Sequence, residues 1–572
     1  MSLNTMEFGS NITLSTWLGQ HNIFTTLLGI VGLLLYIFLN LLDKSSDNKT
    51  LRLPPGPQGW PVVGNLLQLG RLPHQTLSEM SKRYGSLMFV QLGSTPTLVV
   101  SSAELAQEVL GAQDHLFSAS RPKATSSGAP GDFLLCKTRG LILAPLGDQW
   151  RFMRRVLVSN LFPAKRLEQF QWLMGKAAVV QEAAGQYTES PLKPVLGGWQ
   201  EVRREEILSL VKRALKEGHD GQVVPLGKKL EELGYNHATQ ALFQKSYFGP
   251  RSLKPDNYHE SRAFQKMVAS SGSSGSRGFI RQLGEFLPFV RSIDSNIWNW
   301  KFWYFSRVYD RYLSNIVKEH HHQRNPRSTE IRDMVDLFLS LQTEIHRRQR
   351  TDENLKALIK DLLTGGTESF TNQVVWTLAE LMRHPEIRMK VQTELDHVVG
   401  RERVVEETDL PRLRYIQAVV KESFRLHPVL PLCSPLEPTV ATKFRGYELP
   451  GKTRVVFNLY AIMRDSKVWE EPLVFNPERF RRRSPGVKEE DFDLLPFGCA
   501  TGRRIRVGLN LGLTMVQYTL AQLLHTCDLA LPLGWNCEDV NIDEAPGPNL
   551  PKAQPLQVLV TPRLPPRVFR GL

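Results

Sequence analysis

From Leu355 to His384 the chain reads "LKALIKDLLTGGTESFTNQVVWTLAELMRH", with apolar residues returning every three and four positions. That period predicts one long helix over 355–384. It also predicts helices at 103–112 ("AELAQEVLGA"), 331–345 ("IRDMVDLFLSLQTEI") and 511–526 ("LGLTMVQYTLAQLLHT"). A different pattern occupies 86–102, "SLMFVQLGSTPTLVVSS", where β-branched runs flank turn residues, so a short hairpin is expected there. Shorter strand candidates return at "FRGYELP" and "TRVVFN". The predicted class is mostly α with minor β. Two stretches fit poorly. Residues 172–200 break a helical pattern, and "SSGSSGSRG" at 270–278 reads as a flexible low-complexity segment. The "HHH" at 320–322 lies on a charged helical stretch. Neighbouring helix side chains point in different directions, so a solvated face is expected rather than a metal cluster.

The N-terminal pattern is of another kind. Residues 23–42, "IFTTLLGIVGLLLYIFLNLL", are apolar almost throughout. A run of about 20 such residues spans the roughly 30 Å of a bilayer core. A cleaved signal peptide and a buried core helix are the competing readings. No basic segment precedes the run and no small-residue cleavage site follows it, whereas Lys44, Lys49 and Arg52 do. The positive-inside rule then places the body of the chain in the cytosol. The expected organisation is a luminal tail, signal anchor and polar spacer (1–50), a proline-rich hinge (51–65), and one cytosolic domain (66–572) with an insertion at 172–200. Pro54, Pro55, Pro57 and Pro61 make the hinge stiff and extended.

Composition changes this picture little. The 572 residues are 41% hydrophobic and 22% charged, enough for a sizeable core. The net charge of +14 suits a solvated basic surface, or docking on an acidic partner or membrane face. Nucleic acid is not expected, because the basic residues are dispersed with no aromatic-interleaved basic tract. Five unclustered cysteines, Cys136, Cys433, Cys499, Cys527 and Cys537, argue against a disulfide framework.

Four motifs carry chemistry. "WRFMR" sets Trp150 and Arg154 one helical turn apart, able to offer an indole N–H and a guanidinium to a carboxylate-bearing cofactor. "TGGTESF" puts Gly365 and Gly366 inside a helix, at about 1 kcal/mol each, followed by Thr367, Glu368 and Ser369. A ligand approaching the backbone accounts for the glycines, and so does a kink. An acid beside a hydroxyl can relay protons. "KESFRLHP" contains Glu422 and Arg425 as E-x-x-R, a spacing shared with Glu201/Arg204, Glu344/Arg347 and Glu478/Arg481. "FNPERF" and the loop "LLPFGCATGRRIRVGLNLGL" (494–513) follow.

The order of these motifs, with the anchor and hinge, resembles a membrane-bound cytochrome P-450, a haem-thiolate monooxygenase. "LPPGPQGWPVVGNLLQLG", "VVKESFRLHP" and "GLNLGLTMVQYTLAQLLHT" look like the plant microsomal branch, which includes flavonoid 3′-hydroxylases and in-chain fatty-acid hydroxylases. The resemblance implies the cytochrome P-450 fold, bound haem b, electrons from NADPH through a membrane reductase, and hydroxylation of a small hydrophobic molecule at the endoplasmic reticulum membrane. No G-x-G occurs in the chain, so no dinucleotide fingerprint of its own is present. By resemblance, Trp150 and Arg154 hold a haem propionate, and Gly366, Thr367, Glu368 and Ser369 form the oxygen-activating segment. Glu422, Arg425 and Arg479 form a structural ion-pair triad. Phe497, Gly502, Arg504 and Gly508 match the cofactor loop, and 113–149 is the region that shapes substrate choice.

The departures are as specific as the matches. Arg506 falls where the family has its iron-binding cysteine. Guanidinium is permanently charged and offers only donors, so it cannot act as a thiolate. About two extra residues precede Gly502, and Leu436 replaces the usual His or Arg near the second propionate. Cys499 is the alternative metal ligand, seven positions before Arg506, and would have to abandon the helix N-terminus that steadies the sulfur. An imperfect or decayed gene, a haem protein without its thiolate, and a silent anchored binding protein each accommodate these departures.

Overall fold

In the computed structural model the described residues are 51–112, 141, 150, 151, 153–155, 157, 193–253, 255–275, 286, 287, 307–323, 333–345, 352–433, 441–482, 494, 495, 508–547 and 549–570. The expected anchor at 23–42, Leu436, Phe497, Cys499, Gly502, Arg504 and Arg506 lie outside them, as does nearly all of 113–149. No helix among the described residues is long and apolar enough to cross a membrane.

The expected hairpin forms: β1 (Leu87–Leu92) and β2 (Thr95–Val100) pair antiparallel, preceded by α1 (Pro73–Tyr84). The proline-rich segment is laid along this hairpin. Pro55 O accepts from Phe89 N at 2.9 Å, and Asn65 Oδ1 accepts from Gln91 N at 2.7 Å. Gly64 makes that docking possible. Its φ is +59°, and a Cβ there would lie 2.0 Å from Gln91 O.

Four long helices form the centre: α2 (Lys193–Gly218), α3 (Leu226–Phe243), α7 (Asp352–Arg383) and α10 (Leu509–Thr526). Between α3 and α7 come α4 (Pro255–Gly275), α5 (307–323) and α6 (Met334–Ile345). Then α8 (Pro385–Val398) and α9 (Arg414–Leu426) lead to the C-terminal third. Leu210, Leu230, Val374 and Leu520, one from each central helix, share a single buried cluster. At Gly234 the α3 and α7 backbones come so close that a Cβ would meet Thr371 Cγ2 at 2.9 Å.

A second buried cluster joins Leu242, Phe264, Ile316 and Val335 to Leu358 and Leu363 of α7. The remaining strands are short. β3 (Val224–Pro225) and β7 (Cys527–Ala530) flank β8 (Gln557–Pro562), β4 (Thr442–Phe444) pairs with β5 (Tyr447–Leu449), and β6 (Arg454–Phe457) runs parallel to β2.

Three expectations are corrected. The stretch 172–200 is helical from Lys193 onward, because a well-packed helix elongates cheaply once nucleated and Pro194 falls in its first turn, where proline is tolerated. The low-complexity residues 270–275 are likewise the last turns of α4. His320 is not solvated. It is buried, with Nε2 2.9 Å from Asp333 Oδ2 and Nδ1 2.8 Å from Ile316 O, while His321 and His322 are exposed as expected. The partner that sequence periodicity could not foresee is Asp333, which heads the next helix and accepts from Asp336 N at 2.9 Å. His320, Asp333 and Asp336 bring ligand-type atoms within 4.8 Å of one another, but the hydrogen bonds of His320 and Asp333 already account for this corner as a helix cap.

Candidate active site

The helix α7 belongs to both buried clusters, and it changes allegiance halfway. Its N-terminal part ends in one cluster at Leu363, and its C-terminal part enters the other at Phe370. Between them Thr364, Gly365 and Gly366 are exposed. The helix runs through the two glycines without a break, so they do not mark an interruption. A Cβ on Gly366 would meet nothing within 4 Å. The glycines therefore leave open space against the middle of a helix about 48 Å long, which favours close ligand approach over a kink.

The flanking polar residues divide by direction. Thr367 is buried and turns inward: its Oγ1 donates to Leu363 O at 2.7 Å, and its backbone abuts Gly234 of α3. Ser369 is half-buried, and its Oγ donates to Gly365 O at 2.8 Å, back along the open face. Glu368 Oε2 accepts from Asn549 Nδ2 at 2.8 Å. Two groups on α3 feel this carboxyl. Burial, then the charge of Glu368, raises the pKa of Glu231. The same causes raise that of Tyr235, one turn along.

Trp150 and Arg154 adjoin as expected, with the guanidinium 5.3 Å over the indole ring. The indole N–H donates to Leu141 O at 3.2 Å. Burial pulls the pKa of Arg154 down, so an anionic group brought to it, such as a carboxylate, is favoured electrostatically. Gly508 begins α10 in open space, and beside it the buried Asn510 Oδ1 has no hydrogen-bond partner. The open space at Gly366 suits a flat cofactor, and the half-buried Arg154 guanidinium suits an acidic edge on it.

Cys527 is fully buried at the far end of α10, and burial pushes its thiol up to about 12.

The ion-pair triad is assembled. Arg425 Nε and Nη2 donate to Glu422 Oε2 and Oε1 at 2.8 and 2.9 Å, and Arg479 Nε reaches Glu422 Oε1 at 3.0 Å. Arg425 Nη1 also donates to the carbonyls of Met463 and Pro472.

Asn549, Glu231 and Tyr235 were not picked out from sequence. Asn549 sits in "EAPGPNLPKAQPL", a turn-rich stretch whose partner on α7 is 181 residues away. Glu231 and Tyr235 read there as ordinary helix positions.

The sequence and the fold match known proteins. The cytochrome P-450 family model matches residues 54–197 and 192–542, so the chain belongs to that family. A flavonoid 3′-monooxygenase of Crocosmia x crocosmiiflora is 36% identical, over 94% of this chain and 98% of its own length. One of Arabidopsis thaliana is 34% identical, over 94% and 97%. A phenylacetaldehyde oxime monooxygenase of Prunus mume is 33% identical, over 95% and 96%. A zebrafish cytochrome P-450 solved with abiraterone superposes with a TM-score of 0.63 at 24% identity, covering 86% of this chain and all of that one, which bears on the fold alone. Haem is the cofactor of this family, and a small molecule and an electron-donating partner go with it.

Proposed function

We propose that this chain is a membrane-anchored hydroxylase scaffold for a small hydrophobic molecule, a flavonoid-like phenolic ahead of a fatty acid. Its turnover is weak or absent as it stands, because Arg506 occupies the thiolate position. The observation that carries the scaffold reading is the opening midway along α7, with Glu368 and Ser369 on its rim. The relatives named as flavonoid 3′-monooxygenases support the phenolic preference.

When bound, haem supplies the centre at which dioxygen is reduced. Arg154 would hold an acidic edge of it, and Gly366 would leave it room. Ser369 Oγ, whose hydroxyl donates a hydrogen bond to Gly365 O at rest, is the group that would pass a proton into the opening. Glu368 would restore that proton to Ser369 Oγ. The triad of Glu422, Arg425 and Arg479 has no part in chemistry and holds α9 against the chain that follows. Electrons would come from NADPH through a membrane reductase, whose acidic docking face the net charge of +14 suits. The expected setting is the endoplasmic reticulum membrane, with the body in the cytosol.

The reduced, carbon-monoxide-bound absorption spectrum of the protein and of Arg506→Cys tests this. A thiolate-type band only after the substitution supports the proposal. Such a band in the unsubstituted protein overturns the inactivity, with Cys499 the first candidate ligand. Absence of haem from both overturns the hydroxylase scaffold. A second reading, a catalytically silent small-molecule-binding protein, is favoured by Arg506 itself and would appear as ligand binding without haem.

A further inference from the structure

Three successive turns of α7 grip one short piece of the C-terminal chain. At Glu368, the carboxylate accepts from Asn549 Nδ2 at 2.8 Å. One turn on, Asn372 Nδ2 donates to Asn549 O at 3.1 Å. A further turn on, Trp376 Nε1 donates to Leu550 O at 2.8 Å. Residues four apart share a helix face, so 368, 372 and 376 form a ladder. Leu550 adopts φ +46°, a left-handed conformation uncommon outside glycine, and its side chain is buried. Two of the three bonds hold the backbone of this piece, and the third presents an amide to an acid.

The choice of group matters. An asparagine Nδ2 can only donate, so it meets Glu368 at an oxygen that accepts. With Oε2 committed, Oε1 is the oxygen left to carry a proton. On α3, burial and then the charge of Glu368 raise the pKa of Glu231. Asn549 thus meets the acid with a neutral donor that adds no charge.

We propose that Asn549 is a positioning residue for Glu368, pinning Oε2 and reserving Oε1 as the proton-carrying oxygen. This rests on the reading of Glu368 as the acid of the proton relay.

The test needs no haem. The infrared spectrum of the full chain minus that of Glu368→Gln isolates the carboxyl bands of Glu368. Asn549→Leu, close in volume, should shift the carboxylate stretch. Asn372→Leu, which cuts only the carbonyl tie, should leave it in place. Asn549→Asp, close to isosteric, should add a protonated carboxyl band beside a carboxylate band, because two carboxylates this close share one proton.

A folded Asn549→Leu with the band unmoved overturns the role, whatever the enzyme does. So does an equal shift in Asn372→Leu. In haem-loaded Arg506→Cys, Asn549→Leu should lower kcat roughly tenfold at unchanged KM, and should cost nothing further in a chain that already carries Glu368→Gln. If Glu368→Gln keeps full turnover there, the relay reading falls, separately from the infrared result.

Discussion

Arg425 closes on Glu422 through two parallel hydrogen bonds of 2.8 and 2.9 Å, where neither side chain reaches water. The same spacing at Glu201/Arg204 and Glu478/Arg481 produces single contacts on the surface, 2.9 and 3.2 Å long. Helix geometry is common to all three pairs, and only burial separates them. At the buried one, Arg479 and the Asn476 amide fill the remaining capacity of the carboxylate.

Removing one partner should therefore have unequal consequences. Arg425→Leu strips the buried Glu422 carboxylate of its bidentate partner, leaving Arg479 as the cation beside it, and should destabilise the protein by about 3 kcal/mol. Arg204→Leu should change stability by less than about 0.5 kcal/mol. Denaturant midpoints of the two variants check this, and equal shifts would contradict it.

The His320–Asp333 pair predicts a pH dependence. Burial pulls the His320 imidazole down, but the hydrogen bond and charge of Asp333 outweigh it, with further help from Ile316 O and Asp336, so its pKa is raised. A group raised in the folded state stabilises fully below its unfolded value, about 6.5 for histidine. That contribution should be lost as pH climbs from there through the raised value. Denaturant unfolding across this window should show the loss, and Asp333→Asn should flatten it.

Cys527 should be inert. With its thiol buried and pushed up to about 12, alkylation at pH 8 should leave it unmodified until the protein is unfolded. Mass analysis of the peptide from β7 checks this, and rapid native labelling would reopen Cys527 as a candidate ligand.

Much of this was legible in one dimension. The 3.6-residue period announced α6, α7 and α10, and the alternation at 86–102 announced the β1–β2 hairpin. Those signals are local, set by neighbours within a few residues. The paired glycines at 365 and 366 also announced themselves, because their cost inside a helix calls for a compensating use. Whether that use was a kink or an opening depended on what lay across from them.

The sequence by itself determined the helices, the order of the motifs and the presence of Arg506 where a thiolate is expected, because each is written in residue type and spacing. Tertiary structure alone decided which E-x-x-R is buried, that His320 is capped by Asp333, that Thr367 packs against Gly234 while Gly366 faces open space, and that Asn549 meets Glu368. These depend on contacts between residues up to 181 positions apart, which local periodicity does not encode.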